Sequence, residues 1–157
     1  MCLVKLKMLS KIIQFSSRNP KFLFLSDATG ALVTALSWLV WKLFFAEQFN
    51  FHNDVLSGLI FYAVAMFCAS MQFYLFAKKD YGSCIKFLVF GNICFVIILI
   101  NLLYFFWNEI SIFPKFYIAM EILIIFMLAL LEVKVKKEIS LICLDHLLIF
   151  MLNKYSL

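Results

Sequence analysis

Four long apolar runs leave this chain few ways to fold. A helix that crosses a bilayer needs about 20 apolar residues. Residues 22–46 read FLFLSDATGALVTALSWLVWKLFFA, and 55–77 read VLSGLIFYAVAMFCASMQFYLFA. Residues 85–107 read IKFLVFGNICFVIILINLLYFFW, and 112–133 read IFPKFYIAMEILIIFMLALLEV. A β-barrel strand would alternate apolar and polar residues. These runs are apolar on every side, so each is expected to be a helix, which satisfies its own backbone hydrogen bonds in lipid.

The expected fold is all-α, a polytopic transmembrane four-helix bundle. The connections are short, which predicts antiparallel neighbours in up-down order. Residues 1–21 form a basic segment ahead of the bundle, 22–133 the four spans, and 134–157 a basic turn followed by a tail. Composition agrees: the chain is 66% hydrophobic and 15% charged, where soluble domains are about a quarter charged. That balance excludes intrinsic disorder and a water-soluble globule.

Charge placement orients the spans. Lys5, Lys7, Lys11, Arg18 and Lys21 precede the first span with no acid among them. The first connection carries Glu47 and Asp54 and no base. Lys78, Lys79 and Lys86 surround Asp80 in the second, Glu109 lies in the third, and Lys134, Lys136 and Lys137 follow the fourth span. Bases thus gather on alternate sides, and both termini are expected in the cytoplasm. Lys42 and Lys115 lie near the opposite face, within snorkelling reach of water. Topology and contact with anionic lipid account for the net charge of +5, so the expected surroundings are a bilayer and not nucleic acid. A cleaved signal peptide would have a shorter apolar core and a small-residue cleavage site, which the first span lacks.

Both ends read as surface segments. Leu3, Leu6, Leu9, Ile12 and Ile13 fall roughly on one side of a basic amphipathic stretch, as suits a helix lying on the membrane. Residues 139–152, ISLICLDHLLIFML, make about 21 Å of helix, short for ~30 Å of hydrocarbon, with Asp145 and His146 at the middle. A helix at the cytoplasmic interface or folded against the bundle is therefore expected there, with a fifth span as the alternative.

Polar residues within the spans are the candidate site. Glu121 lies near the middle of the fourth span, where an ionised acid costs about 2.5–3.5 kcal/mol on insertion scales. Glu132 is eleven residues on, on the same stripe, and is expected at the interface near Lys134 and Lys136. In the first span Gly30, Ala31 and Thr34 follow Asp27 on one small, polar face. Asn92 stands beside Gly91 in the third span. Taking each span midpoint as the bilayer centre, Asp27 and Asn92 differ in depth by about 4 Å, and Glu121 lies about 8 Å from Asn92. One polar cluster of Asp27, Asn92 and Glu121 is thus expected, extended by Asn101. In the second span Gly58, Tyr62, Ala65, Ala69 and Gln72 share a face suited to close packing. Two readings compete. These residues are interhelical glue, worth about 0.6–2 kcal/mol per hydrogen bond, or Glu121 binds a proton or cation.

Other chemistry finds little support. Cys2, Cys68, Cys84, Cys94 and Cys143 include no C-x-x-C, and none falls in an expected outer loop, where disulfides form. His52 and His146 lie outside the spans, which disfavours a bundle haem. His52 with Glu47 and Asp54 suits solvated loop residues better than a metal site. No phosphate-binding, dinucleotide-binding, zinc-protease or nucleophile-elbow motif occurs. No cofactor is expected. Trp38, Trp41, Trp107, Tyr104, Tyr74 and Tyr81 fall towards span ends and read as interfacial anchors.

Three segments carry a resemblance: FLSDATGALVTAL, GNICFVIILINLLY and YIAMEILIIFMLALLEVKV. Together they resemble a family of small four-span bacterial membrane proteins found often in Bacteroidetes. Its members carry an Asp-Gly-x-Gly-Ala-like start to the first helix, an Asn in the third, a Glu in the fourth and an acid-x-Lys ending. Asp27, Gly30, Asn92, Glu121, Glu132 and Lys134 fit that pattern over about residues 22–136. Ala28 stands where a Gly is common, and the tail from Lys137 is an extension. The resemblance implies a bacterial cytoplasmic membrane and four helices, and it brings no activity with it.

The function expected from these readings is that of a non-enzymatic accessory or structural membrane component, as a homo-oligomer or beside another membrane protein. The alternative is a small proton-coupled transporter or channel working through Glu121. The two differ in whether Glu121 is packed in a dry interior or lines a cavity.

Overall fold

Pro20 opens the first helix, α1, Pro20–Phe44. The first turn of a helix leaves its N–H groups unpaired, so a residue without one is harmless there. The computed structural model describes Ile13 and residues 15–17, 19–45, 53–77 and 81–155, with side chains through residue 141 except that of Asn53. Three more helices follow: α2, Asn53–Phe76; α3, Tyr81–Phe105; and α4, Ile112–Tyr155. Pro114 stands in the first turn of α4, again where its missing donor does no harm. Between α3 and α4 the backbone N–H groups of Glu109 and Ile110 both donate to the Phe106 carbonyl at 3.0 Å, closing a tight turn.

The described residues contain no strand. Pro20–Phe44, Asp54–Phe76, Tyr81–Phe105 and Ile112–Leu141 are long and apolar enough to cross a membrane. The chain is therefore an all-helical, multi-pass membrane protein. The expected basic segment through Lys11, the connection holding Glu47 and His52, and Lys78–Asp80 lie outside the described residues, as do the side chains of Cys143, Asp145 and His146.

The fourth helix departs from expectation. A basic turn was expected after Val133, yet α4 continues unbroken through Lys134, Lys136 and Lys137 for 44 residues in all. Lysine is a good helix former, and no Gly or Pro interrupts this stretch. Beyond Val133 the helix is mixed in character, with buried Val135 among Lys134, Lys136 and Lys137.

Packing divides the bundle into two close pairs. α1 lies along α2, and α3 lies along α4, while α2 and α3 come together over a shorter stretch. Buried Ala28 and Ala35 on α1 and Ala63 on α2 permit the first close approach. Lys42 Nζ donates to Ser57 Oγ at 2.6 Å towards one end of this pair. The inward stripe of α2 is Leu56, Leu59, Ala63, Met66 and Ser70. This corrects the expected α2 face, because Gly58, Ala65 and Gln72 are exposed. An all-round apolar helix offers no contrast from which its inner side can be read, since lipid is as apolar as the interior.

Two apolar clusters fill the interior. One centres on Trp38, Leu59, Phe95, Leu99, Ile118 and Ile125. The other holds Leu23, Phe24, Met66, Ile85, Leu88 and Val135. On α1, α3 and α4 the buried polar residues Asp27, Asn92 and Glu132 fall between these clusters.

Gly91 and Gly30 make a contrast that mutation can read. A Cβ on Gly91 would meet Met66 Sδ and Cε at 2.5 Å, whereas one on Gly30 would meet nothing within 4 Å. Gly91→Leu is expected to cost about 1–3 kcal/mol, the usual range for overpacking, and Met66→Ala should restore much of it by clearing the space. Gly30→Leu should leave the melting temperature in detergent close to wild type. Equal losses for the two leucines would mean that the α2–α3 approach is not tight.

Candidate functional site

Each close pair carries its own buried acid. Asp27 on α1 accepts from Ser70 Oγ of α2. Ser70 also donates within its helix to the Met66 carbonyl at 2.9 Å. Glu132 on α4 accepts from Asn92 Nδ2 of α3 at 3.2 and 3.3 Å. The two halves then join, because Asn92 Nδ2 also donates to Asp27 Oδ1 at 2.9 Å. The carboxyls of Asp27 and Glu132 are direct neighbours. Four helices thus meet in one knot of Asp27, Ser70, Asn92 and Glu132, all buried.

Glu121 is placed elsewhere. It faces α1 and accepts from Trp38 Nε1 at 2.9 Å. The Thr34 hydroxyl neighbours the same carboxyl, yet Oε2 is buried with no hydrogen-bond partner. Trp38 is itself fully buried, with Tyr117 edge-on at 5.3 Å between ring centroids. Tyr117 also meets Trp41 at 5.4 Å.

The expected cluster of Asp27, Asn92 and Glu121 is therefore split. Asp27 and Asn92 meet, but the acid bonded to Asn92 is Glu132, not Glu121. Glu132 was expected at the water interface, and it is instead wholly buried. The cause lies in α4. The helix runs on past Val133 and still packs at Val135, which is buried in the second apolar cluster, so Glu132 lies inside the bundle. Eleven residues separate the two acids, about 16 Å along the axis, so one polar partner cannot serve both.

Of the other candidates, Thr34 stands beside Glu121, while Gly30 is exposed on α1. Gln72 is exposed on α2 and takes no part in the knot. Asn101 is exposed and donates back to the Ile97 carbonyl of its own helix at 2.7 Å, so it does not extend the cluster. Trp38 was expected as an interfacial anchor; burial and its bond to Glu121 overturn that. Trp107 fits the anchor role better: it is exposed, with Lys115 Nζ 4.7 Å from its ring centroid. Ser70 was missed, and Tyr62 was expected only as part of a packing face. The Tyr62 hydroxyl donates to the Gly91 carbonyl at 2.8 Å, and its ring stacks on Phe95 at 5.1 Å.

The two polar groups border one cavity of about 580 Å³. Asp27, Thr34, Tyr62, Asn92, Tyr117 and Glu121 all line it. That volume suits a small organic molecule. The wall contains two acids and no lysine, arginine or histidine. Among the described residues no group of three or more His, Cys, Asp or Glu could hold a metal ion.

Side-chain hydrogen bonds from Trp38 to Glu121, from Asn92 to Asp27 and from Tyr62 to Gly91 cross the boundary between the helix pairs. No protein-family model, curated protein or solved structure matches this chain.

Proposed function

We propose that this protein is a small proton-coupled transporter of a bacterial cytoplasmic membrane, with Glu121 as the residue that takes up and releases the proton. One observation carries the reading: Glu121 lines a cavity and has a buried carboxyl oxygen with no partner. A dry structural acid would have both oxygens engaged, since an unsatisfied buried acceptor costs about 1–3 kcal/mol. The proposed arrangement is antiparallel and up-down, with both termini cytoplasmic. The contacts of residue 42 with 57 and of 27 with 70 support the antiparallel order for α1 and α2. The basic residues before α1 and after Val133 support the orientation. The resemblance to small four-span bacterial proteins supports the same membrane.

The knot of Asp27, Ser70, Asn92 and Glu132 favours a second reading, an accessory component held rigid by its polar interior. In that reading the exposed apolar helix faces meet lipid, a second copy or another membrane protein.

Infrared difference spectroscopy on reconstituted protein separates them. The transporter reading expects a carboxyl C=O band whose intensity changes with bulk pH and is absent in Glu121→Gln. A spectrum in which that variant matches the wild type would show Glu121 sealed from water, and the accessory reading would replace the transporter.

A further inference from the structure

We propose that the cavity takes a lipophilic ligand with a protonated amine head, and that the ligand enters sideways from the bilayer between α1 and α4. This rests on the transport reading and names its substrate class. The head group follows from charge. The wall offers two carboxyl side chains and no cationic side chain. Glu121 is about nine-tenths buried, 7% exposed, and its Oε2 is unpartnered. An ammonium gives that oxygen a charge-assisted donor, the stronger kind of hydrogen bond. The ring of Tyr117 lines the cavity close by, and aromatic faces attract cations further.

The apolar body follows from the remaining wall, where Val33, Phe95, Ile124 and Leu128 offer only hydrocarbon. The route follows from exposure. Gly30 and Val33 on α1 and Met120 and Ile124 on α4 line the cavity and are also exposed on the outer surface. Val33 and Ile124 are each 62% exposed. These positions lie within the spans, so the opening faces acyl chains and not water. The α1–α4 contacts stand on either side of it, Trp38 with Glu121 at one end and Asp27 with Glu132 at the other. At Gly30 the opening has no side chain at all.

A ligand held at Glu121 would displace the proton from the same carboxyl, which couples the two. The ammonium stays protonated throughout, so the exchange is of one cation for another at one site.

The test uses the full chain in lipid nanodiscs, with decylamine, decanol and decanoate as probes of matched chain length. The readout is the indole N–H resonance of Trp38, one of three tryptophans, assigned with Trp38→Phe. Decylamine is expected to shift that resonance saturably, and decanol to bind about tenfold more weakly, the difference a charge-assisted bond makes. Decanoate should not bind. Glu121→Gln should weaken decylamine by about tenfold or more. Gly30→Leu fills the opening without touching the bundle and should slow or abolish the shift while the melting temperature holds.

Equal binding of decanol and decylamine would overturn the amine head. Undiminished, equally fast binding to Gly30→Leu would overturn the lateral route. If decylamine fails to bind while the Glu121 infrared band still titrates, the substrate class falls and the transporter stands. If neither signal appears, both readings fall.

Discussion

Trp38→Ala is expected to destabilise the protein by about 3–5 kcal/mol, the usual cost of truncating a large buried aromatic. Trp38 sits at the centre of one apolar cluster with no exposed surface. Its loss removes packing from all sides, and packing is most of what holds helices together in lipid. It also strips Glu121 of the indole donor at 2.9 Å. Trp38→Phe separates these effects, since it keeps an aromatic ring and deletes the N–H. Its expected cost is about 1–3 kcal/mol, the penalty for an unsatisfied buried group. Adding Glu121→Leu to Trp38→Phe should recover much of that cost, because removing both partners of a buried hydrogen bond is nearly neutral. Reversible unfolding in mixed micelles, followed by circular dichroism, measures all of these. A double variant as unstable as the sum of its parts would mean that the indole does not serve Glu121.

Asn92→Ala is expected to cost about 2–3 kcal/mol. A single interhelical hydrogen bond averages only about 0.6 kcal/mol in membrane proteins. The larger figure follows from what Asn92 does: its amide nitrogen serves Asp27 and both oxygens of Glu132. Without it two neighbouring carboxyls face each other with no shared donor. Asn92→Asp should be worse, because it adds a third acid at the same point. Asp27→Asn should partly rescue Asn92→Ala by removing one of the opposed acids. Should Asn92→Ala fall within the ordinary cost of one hydrogen bond, the knot would be incidental to stability.

Helix number and the extent of the first three helices were legible because lipid imposes a length on any crossing segment. Inward faces were not, because the outer surface of such a helix is as apolar as its core. Gln72 shows the effect. Polarity alone argued that it should point inward, yet Ser70 is the α2 residue that does. Depth counting went astray at one end only, where the lysines after Val133 were read as a stop and the helix continued.

Trp38 follows Asp27 by eleven residues, and Glu132 follows Glu121 by the same interval. Eleven residues are close to three helical turns, so each pair repeats on one face at one spacing. In the structure Asp27 neighbours Glu132 and Trp38 bonds Glu121, so the two intervals face each other. That pairing also assigns Trp38 to the interior, which position near a span end could not.

The division into sequence-adjacent pairs bears on how the protein is made. Helices insert first and associate afterwards, and α1 and α2 precede α4 in order of synthesis. Asp27 can therefore find Ser70 before the last helix emerges. Glu132 likewise meets Asn92 within its own half. Glu121 is different, for its donor Trp38 lies in the first half of the chain and must remain available until the last helix arrives. Docking of the halves is the event that gives this acid its indole donor, so biogenesis ends where the cavity begins.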